Sequence, residues 1–280
     1  NMNNHNIVVD SYDSRDTTKS TNGMYDPAKR QEHGSVATNG TLIDAGSAHV
    51  YGDASTNGGT VLNASNVTGE IRSDFYQDLF AVTRPTVVAT TGTPAAINAA
   101  TIITASAGDP TQVIVSSINL SGQQVLRIKG AANGSATYAQ IIVNGAIGLS
   151  GQAQIVVDPG VNVRMFVSGD VDVAGNGVAN SNSPLSFQLY GLDRAANADG
   201  SPASPGQLKI SGNGGFRGTV YAPSYNVTMV GGGTDDTIYG SFVGWRVKMT
   251  GVQAVHYDEA LGEGGLISDF KVVSWFEDVR

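Results

Sequence analysis

The stretch that most constrains this chain lies between residues 212 and 261, where short apolar runs alternate with Gly, Asn and Asp at nearly regular spacing. The runs are 219–221, 227–229, 238–243, 247–249 and 254–257. None is long enough for an ordinary helix, and several alternate at period two, as half-buried strands do. Strands this short form no stable isolated hairpin, so each must rest on neighbours. The intervening glycines supply tight corners. Strand and corner in repeated succession predict a solenoid whose coils stack one on the next.

Composition agrees with this. Of 280 residues, 36 are Gly and only 14% are charged, which favours corner-rich β structure over a helical bundle. The net charge of -8, with no cluster of Lys and Arg, argues against nucleic acid or an anionic membrane as the main partner. With no cysteine, disulfides and Cys-based zinc sites are excluded. No segment has the apolar length of a membrane span, and no signal peptide is evident. The opening NMNNHN lacks an initiator pattern. The expectation is an extracellular or cell-surface ectodomain, attached to a membrane only through an upstream segment.

Taken in order, Ile7–Val9 reads as a strand followed by Asp10, Asp13 and Asp16 in a polar segment. Three carboxylates are candidate Ca²⁺ ligands, so a structural calcium ion enters as a possible cofactor. Their spacing is not that of an EF-hand loop, and turn or capping chemistry is the plainer reading. Units of six to ten residues over 35–73 read as first coils. The run DFYQDLFAV at 74–82 reads as a short amphipathic turn covering an open face. Pro85, Pro94 and Pro110 then mark an extended crossing along the solenoid or a linker between domains. From 112 to 190 Val, Ile and Leu runs recur with Gly closings, and 195–206 reads as a surface insertion. The resulting division is an N-terminal segment with first coils at 1–80, a crossing at 81–111, and the main β-helix with its C-terminal cap at 112–280.

Several motifs resemble a known family. These are VVDSYDSRDTTKSTNGMYDPAKR near the start, the pattern GxFxGTVYAPxxxVxxxGGG, then YGSFVGWRVKMTG, HYDEAL and the terminal FKVVSWFED. They resemble bacterial PilX-like surface proteins associated with type IV pilus assembly, whose large ectodomains follow a pilin-like helix. The GTVYAP strand and corner is also similar to choice-of-anchor surface domains. The resemblance implies a right-handed parallel β-helix displayed outside the cell. It carries over no catalytic residue.

Candidate chemistry is sparse. Asp170 and Asp172 lie two apart on an expected strand and share a face. Such a carboxylate pair is the alternative catalytic reading, acting on a polysaccharide; the plainer reading is a solvated face. His256 and Asp258 share a side of their strand, opposite Tyr257, either as a metal or base site or as a strand end closing the last coil against the segment that follows. The triple glycine before Asp235 and Asp236 is no phosphate loop, because the GK[ST] ending is absent. Tyr221, Tyr225, Tyr239 and Trp245 are candidates for stacking on sugar rings, against a packing role. Trp275 and Phe276 are expected to cap the hydrophobic end of the solenoid.

Together these readings predict an all-β, right-handed parallel β-helix with an irregular N-terminal segment. The expected role is a non-enzymatic structural module for adhesion or assembly. The expected partners are further copies, pilus or filament subunits, or surface glycans. The alternative is a polysaccharide-binding or polysaccharide-cleaving protein.

Overall fold

The computed structural model describes residues 2–3, 7–87, 93–107, 110–131, 137–211, 215–231, 237–251 and 254–264. Almost every regular element is a short strand, and nearly all pairings are parallel. The chain is a parallel β-helix, as its short runs and Gly-rich corners require.

Three ladders make the walls. One stacks Thr111–Val115, Thr137–Val143, Val161–Val167 and Phe187–Gly191 in order. A second stacks Ile118–Leu120, Ile147–Leu149, Val171–Val173 and Gly206–Ser211. The third stacks Thr101–Thr104, Val125–Lys129, Gln154–Val157 and Val178–Asn180. Two long strands, Phe216–Val230 and Thr237–Thr250, then run parallel to each other around a corner where their register shifts between Ala222 and Asn226.

The period-two pattern decides which side chains turn inward. Ile141, Met165, Leu189 and Val220 occupy one column across successive coils, and all are buried. Leu120, Leu149, Val173, Ile210, Met229 and Met249 form another. Each fully buried Val, Leu or Ile contributes about 1.5–3 kcal/mol relative to exposure, before the entropy of ordering the chain is subtracted.

The coils are not stacked in chain order. Ala254–Asp258 pairs with the start of Thr237–Thr250, and on its other side with Val8–Tyr12. Val8–Tyr12 in turn carries His49–Val50, which leads into the coils of residues 36–72. The N-terminal coils therefore extend the C-terminal end of the solenoid. The strand expected at Ile7–Val9 is present as Val8–Tyr12 and is a full member of the main sheet.

This arrangement sends residues 73–87 back along the outside. The extended run exchanges hydrogen bonds between Gln77 and Asn39, receives the Tyr221 hydroxyl at the Phe80 carbonyl, and receives the Asp193 N–H at the Val82 carbonyl. Arg84 then donates to Asn144, and Ile97 bridges Ile118. Partners earlier and earlier in the solenoid are met in turn. Val82 seals the contact against Tyr190, Leu192, Phe166 and Tyr221. The outer face beneath it is apolar because Phe166 stacks on Tyr190 at 4.7 Å, in a column with Ile142. The amphipathic turn expected at 74–82 is replaced by this extended strap, and strands resume at Thr101. The expected cap by Trp275 and Phe276, and Asp235 and Asp236, lie outside the described residues.

Candidate functional site

A polar cluster among the described residues lies where Val8–Tyr12 meets Ala254–Asp258. Val8–Tyr12 and Ala254–Asp258 align in register, with Asp10 beside His256, Ser11 beside Tyr257 and Tyr12 beside Asp258. Asp10 is 0% exposed and His256 5%. An Asp10 carboxylate oxygen bonds His256 Nδ1. The other oxygen accepts the Tyr25 hydroxyl at 2.7 Å. Tyr25 also stacks flat on the imidazole, with centroids 3.5 Å apart. Burial, then its bond to Asp10, hold the Tyr25 phenol above the usual tyrosine range. Gly34 lets the chain pass closely here, because a Cβ at that position would lie 2.4 Å from Asp10 Cα.

Around this pair the cluster spreads in two directions. Tyr239 stands against His256, Tyr12 and Tyr25, and the Arg217 guanidinium lies 4.2 Å above its ring. Burial foremost, then the nearby Asp258 charge, raise the Tyr12 phenol above its usual range. On the outer side, Glu259 accepts from Ser11 at 2.9 Å, contacts His33 Nδ1 at 2.8 Å and pairs with Lys19 at 3.3 Å. Burial raises the Glu259 pKa, but the hydrogen bonds from His33, Ser11 and Lys19 outweigh it, and the carboxyl sits below its ordinary value. Asp258 accepts the backbone N–H groups of Ser14 and Ala260.

Chemically the arrangement is a fastening. Asp10 and His256 resemble an acid–base pair, yet both are buried and covered by Tyr25, so no substrate atom reaches them. A buried, hydrogen-bonded polar pair instead fixes which strands meet and in what register. The polar residues of HYDE close against the N-terminal segment; the segment that follows lies outside the described residues beyond Gly264. Sequence spacing could not reveal this, since Asp10 and His256 are 246 positions apart. One signal was present: VVDSY and AVHYD share an apolar pair followed by an ionisable residue, with opposite charge types in the same place.

The three acids considered for calcium do not converge. Asp10 is held by His256 and Tyr25, Asp13 by Arg15, and Asp16 by the backbone and hydroxyl of Thr18. Among the described residues, no three His, Asp or Glu side chains are grouped to hold a metal ion.

Asp170 and Asp172 flank buried Val171 and share the outer face, as expected, with side chains 61% and 55% exposed. Each is tied to a separate cation: Asp170 to Arg194 at 3.2 Å, Asp172 to Lys209 at 3.6 Å. Asp170 also accepts the Gln207 N–H.

The four aromatic candidates separate cleanly. Tyr225 is fully buried, which removes it from any sugar-stacking role. Its ring fills a slot between Gly191 and Gly206, where a Cβ would come within 2.5 Å and 2.3 Å of ring atoms, and its hydroxyl donates to the Val167 carbonyl at 3.1 Å. Tyr221 lies partly under the strap and Tyr239 within the polar cluster. Trp245 is 44% exposed.

A family model described as a domain of unknown function, DUF7305, matches residues 131–263, somewhat less than half of the chain. The matched region includes His256 and Glu259 but neither Asp10 nor Tyr25, their partners from the N-terminal side. No curated protein and no solved structure matches the chain.

Proposed function

We propose that this protein is a structural module without a reaction of its own, displayed at a bacterial cell surface or along a pilus or other filament, and serving adhesion or assembly. The observation that carries this reading is the use of its ionisable groups. The buried Asp10–His256 pair joins the strands Val8–Tyr12 and Ala254–Asp258, and the exposed carboxylate pair is divided between two cations on the wall. The resemblance of its motifs to PilX-like ectodomains supports display outside the cell.

Immunogold electron microscopy of the producing cells, with a gene-deletion strain as control, tests the proposal. Label along the envelope or a filament shaft supports it. Label confined to the cytoplasm, or polysaccharide turnover by the purified protein that disappears in Asp170→Asn/Asp172→Asn, overturns it.

A further inference from the structure

The junction of Val8–Tyr12 with Ala254–Asp258 joins parts of the chain that are connected only at a distance. On one side stand residues 2–33, on the other residues 217–259. Met2–Asn3 pairs with Met249–Thr250, Val8–Tyr12 with Ala254–Asp258, and Lys19 and His33 reach Glu259. Tyr12 and Tyr25 pack on Tyr239. Register partners continue without a break from Thr101 through Leu126, Phe216, Val255 and Val9 to Val67. At about 4.8 Å per strand that column is about 43 Å long. Residues 73–100 connect its far end back to its start and, fully extended, would span about 90 Å.

The returning run is held more lightly than the junction. Between 75 and 84 it meets the solenoid through the Tyr221 hydroxyl at the Phe80 carbonyl, the Asp193 N–H at the Val82 carbonyl, Arg84 on Asn144, and the buried Val82 side chain. Its other large side chains face solvent: Tyr76 is 66% exposed, Phe80 54% and Leu79 41%. An apolar residue exposed singly needs no explanation, but three within five residues of one extended run do.

We infer that the coils of residues 7–72 exchange between copies of this chain, each set docking on the Ala254–Asp258 edge of a second copy. What fits that edge is chemically fixed. It must offer a parallel strand with an acid opposite His256, a hydroxyl that reaches Glu259 and a Tyr that covers the imidazole. The same coils of a second copy supply all of these, because the exchanged contact reproduces the one within the chain bond for bond. Exchange therefore loses none of the junction's contacts. Its cost is the effective concentration of the tethered coils, in the mM range or below for a flexible connection of this length. In a reciprocal pair the two returning runs pass between the copies, which places Tyr76, Leu79 and Phe80 where they cover one another. The exchange adds a route to assembly; a monomer that still labels the envelope would overturn it and leave surface display standing.

Cross-linking tests the exchange, and the absence of native cysteine keeps the readout clean. Val8→Cys, carrying a tag, and Ala254→Cys, untagged, place single thiols on register partners. The two are co-expressed, purified through the tag and treated with a short bismaleimide. Val8→Cys/Ala254→Cys in one chain sets the full yield, and circular dichroism checks that each variant keeps its strands. The expected result is particles of two or more chains by light scattering, with tagged Val8→Cys chains linked to untagged Ala254→Cys chains. Val82→Ala, which loosens the returning run in the closed monomer, should raise the exchanged fraction by about ten-fold, one 1.4 kcal/mol step. Particles of one chain at every concentration overturn the inference. So do multimers with no link between positions 8 and 254 of different chains, which would mark association through another surface, or an unchanged exchanged fraction in Val82→Ala. No link even within the double variant would contradict the junction itself, and the exchange with it.

Discussion

The middle of the solenoid and the junction of Val8–Tyr12 with Ala254–Asp258 use the same parallel pairing but are held in different ways. In the middle, Met165 sits in a column of buried apolar side chains, with Ile141 on one side and Leu189 on the other. Neighbouring columns repeat that arrangement, so no single contact decides the register. At the junction, Asp10, His256, Tyr25 and Glu259 connect strands from opposite ends of the sequence through a few directional bonds. Apolar stacking gives cohesion between any adjacent coils, whereas directional hydrogen bonds between buried polar groups specify one partner strand. The coils most remote in sequence are the ones fastened by specific polar contacts.

The largest break should come from the middle. Phe187 is buried against Phe216, 6.0 Å centroid to centroid. Phe187→Ala should lower stability by about 3–5 kcal/mol, read by denaturant unfolding, through lost burial and a residual cavity. A loss below 1 kcal/mol would show that the coils do not rest on that column.

Breaking the junction should cost nearly as much but act locally. Asp10→Ala leaves the buried imidazole of His256 and the Tyr25 hydroxyl without their partner, at about 1–3 kcal/mol for each unsatisfied group. Hydrogen exchange should accelerate in residues 8–33 and 254–259 while 137–191 stays protected. Uniform acceleration would mean that the two regions unfold together and the contrast drawn here fails.

The strap should rank third. Val82→Ala removes the side chain that seals it to Tyr190 and Leu192, at a cost of about 1–2 kcal/mol for a partial truncation. Faster proteolytic cleavage within 75–84, with the two halves still associated, is the expected readout.

The smallest effect is that of pH. Glu259 is held below its ordinary value in the folded protein. Its contribution is therefore present above the unfolded carboxylate pKa, near 4.3, and is lost as pH falls through the folded value. Exchange at residues 8–33 should increase below about pH 4.5. Glu259→Gln should abolish most of that pH dependence.

Much of this contrast was legible in the sequence on one side only. The walls could be read because their period-two runs and Gly corners are local, and burial follows the alternation at Val161–Val167 and Val171–Val173. The junction could not, because nothing near Asp10 announces a partner 246 residues away. The direction of the strap was equally hidden: the prolines marked an extended run, but only the docking of Val8–Tyr12 beyond Ala254–Asp258 determines where that run must go. Tyr225 looked available for a ligand because its slot is built by Gly191 and Gly206, on separate strands that alternate like any others.

The central claim is that Val8–Tyr12 lies between Ala254–Asp258, the last of the described strands, and the N-terminal coils. Methyl–methyl nuclear Overhauser effects in a Val-labelled sample test it most directly. Val9 should show cross-peaks to both Val255 and Val50, its register partners on either side. Cross-peaks from Val9 to Val50 alone would contradict the claim, leaving the N-terminal coils as a separate body joined only by the strap.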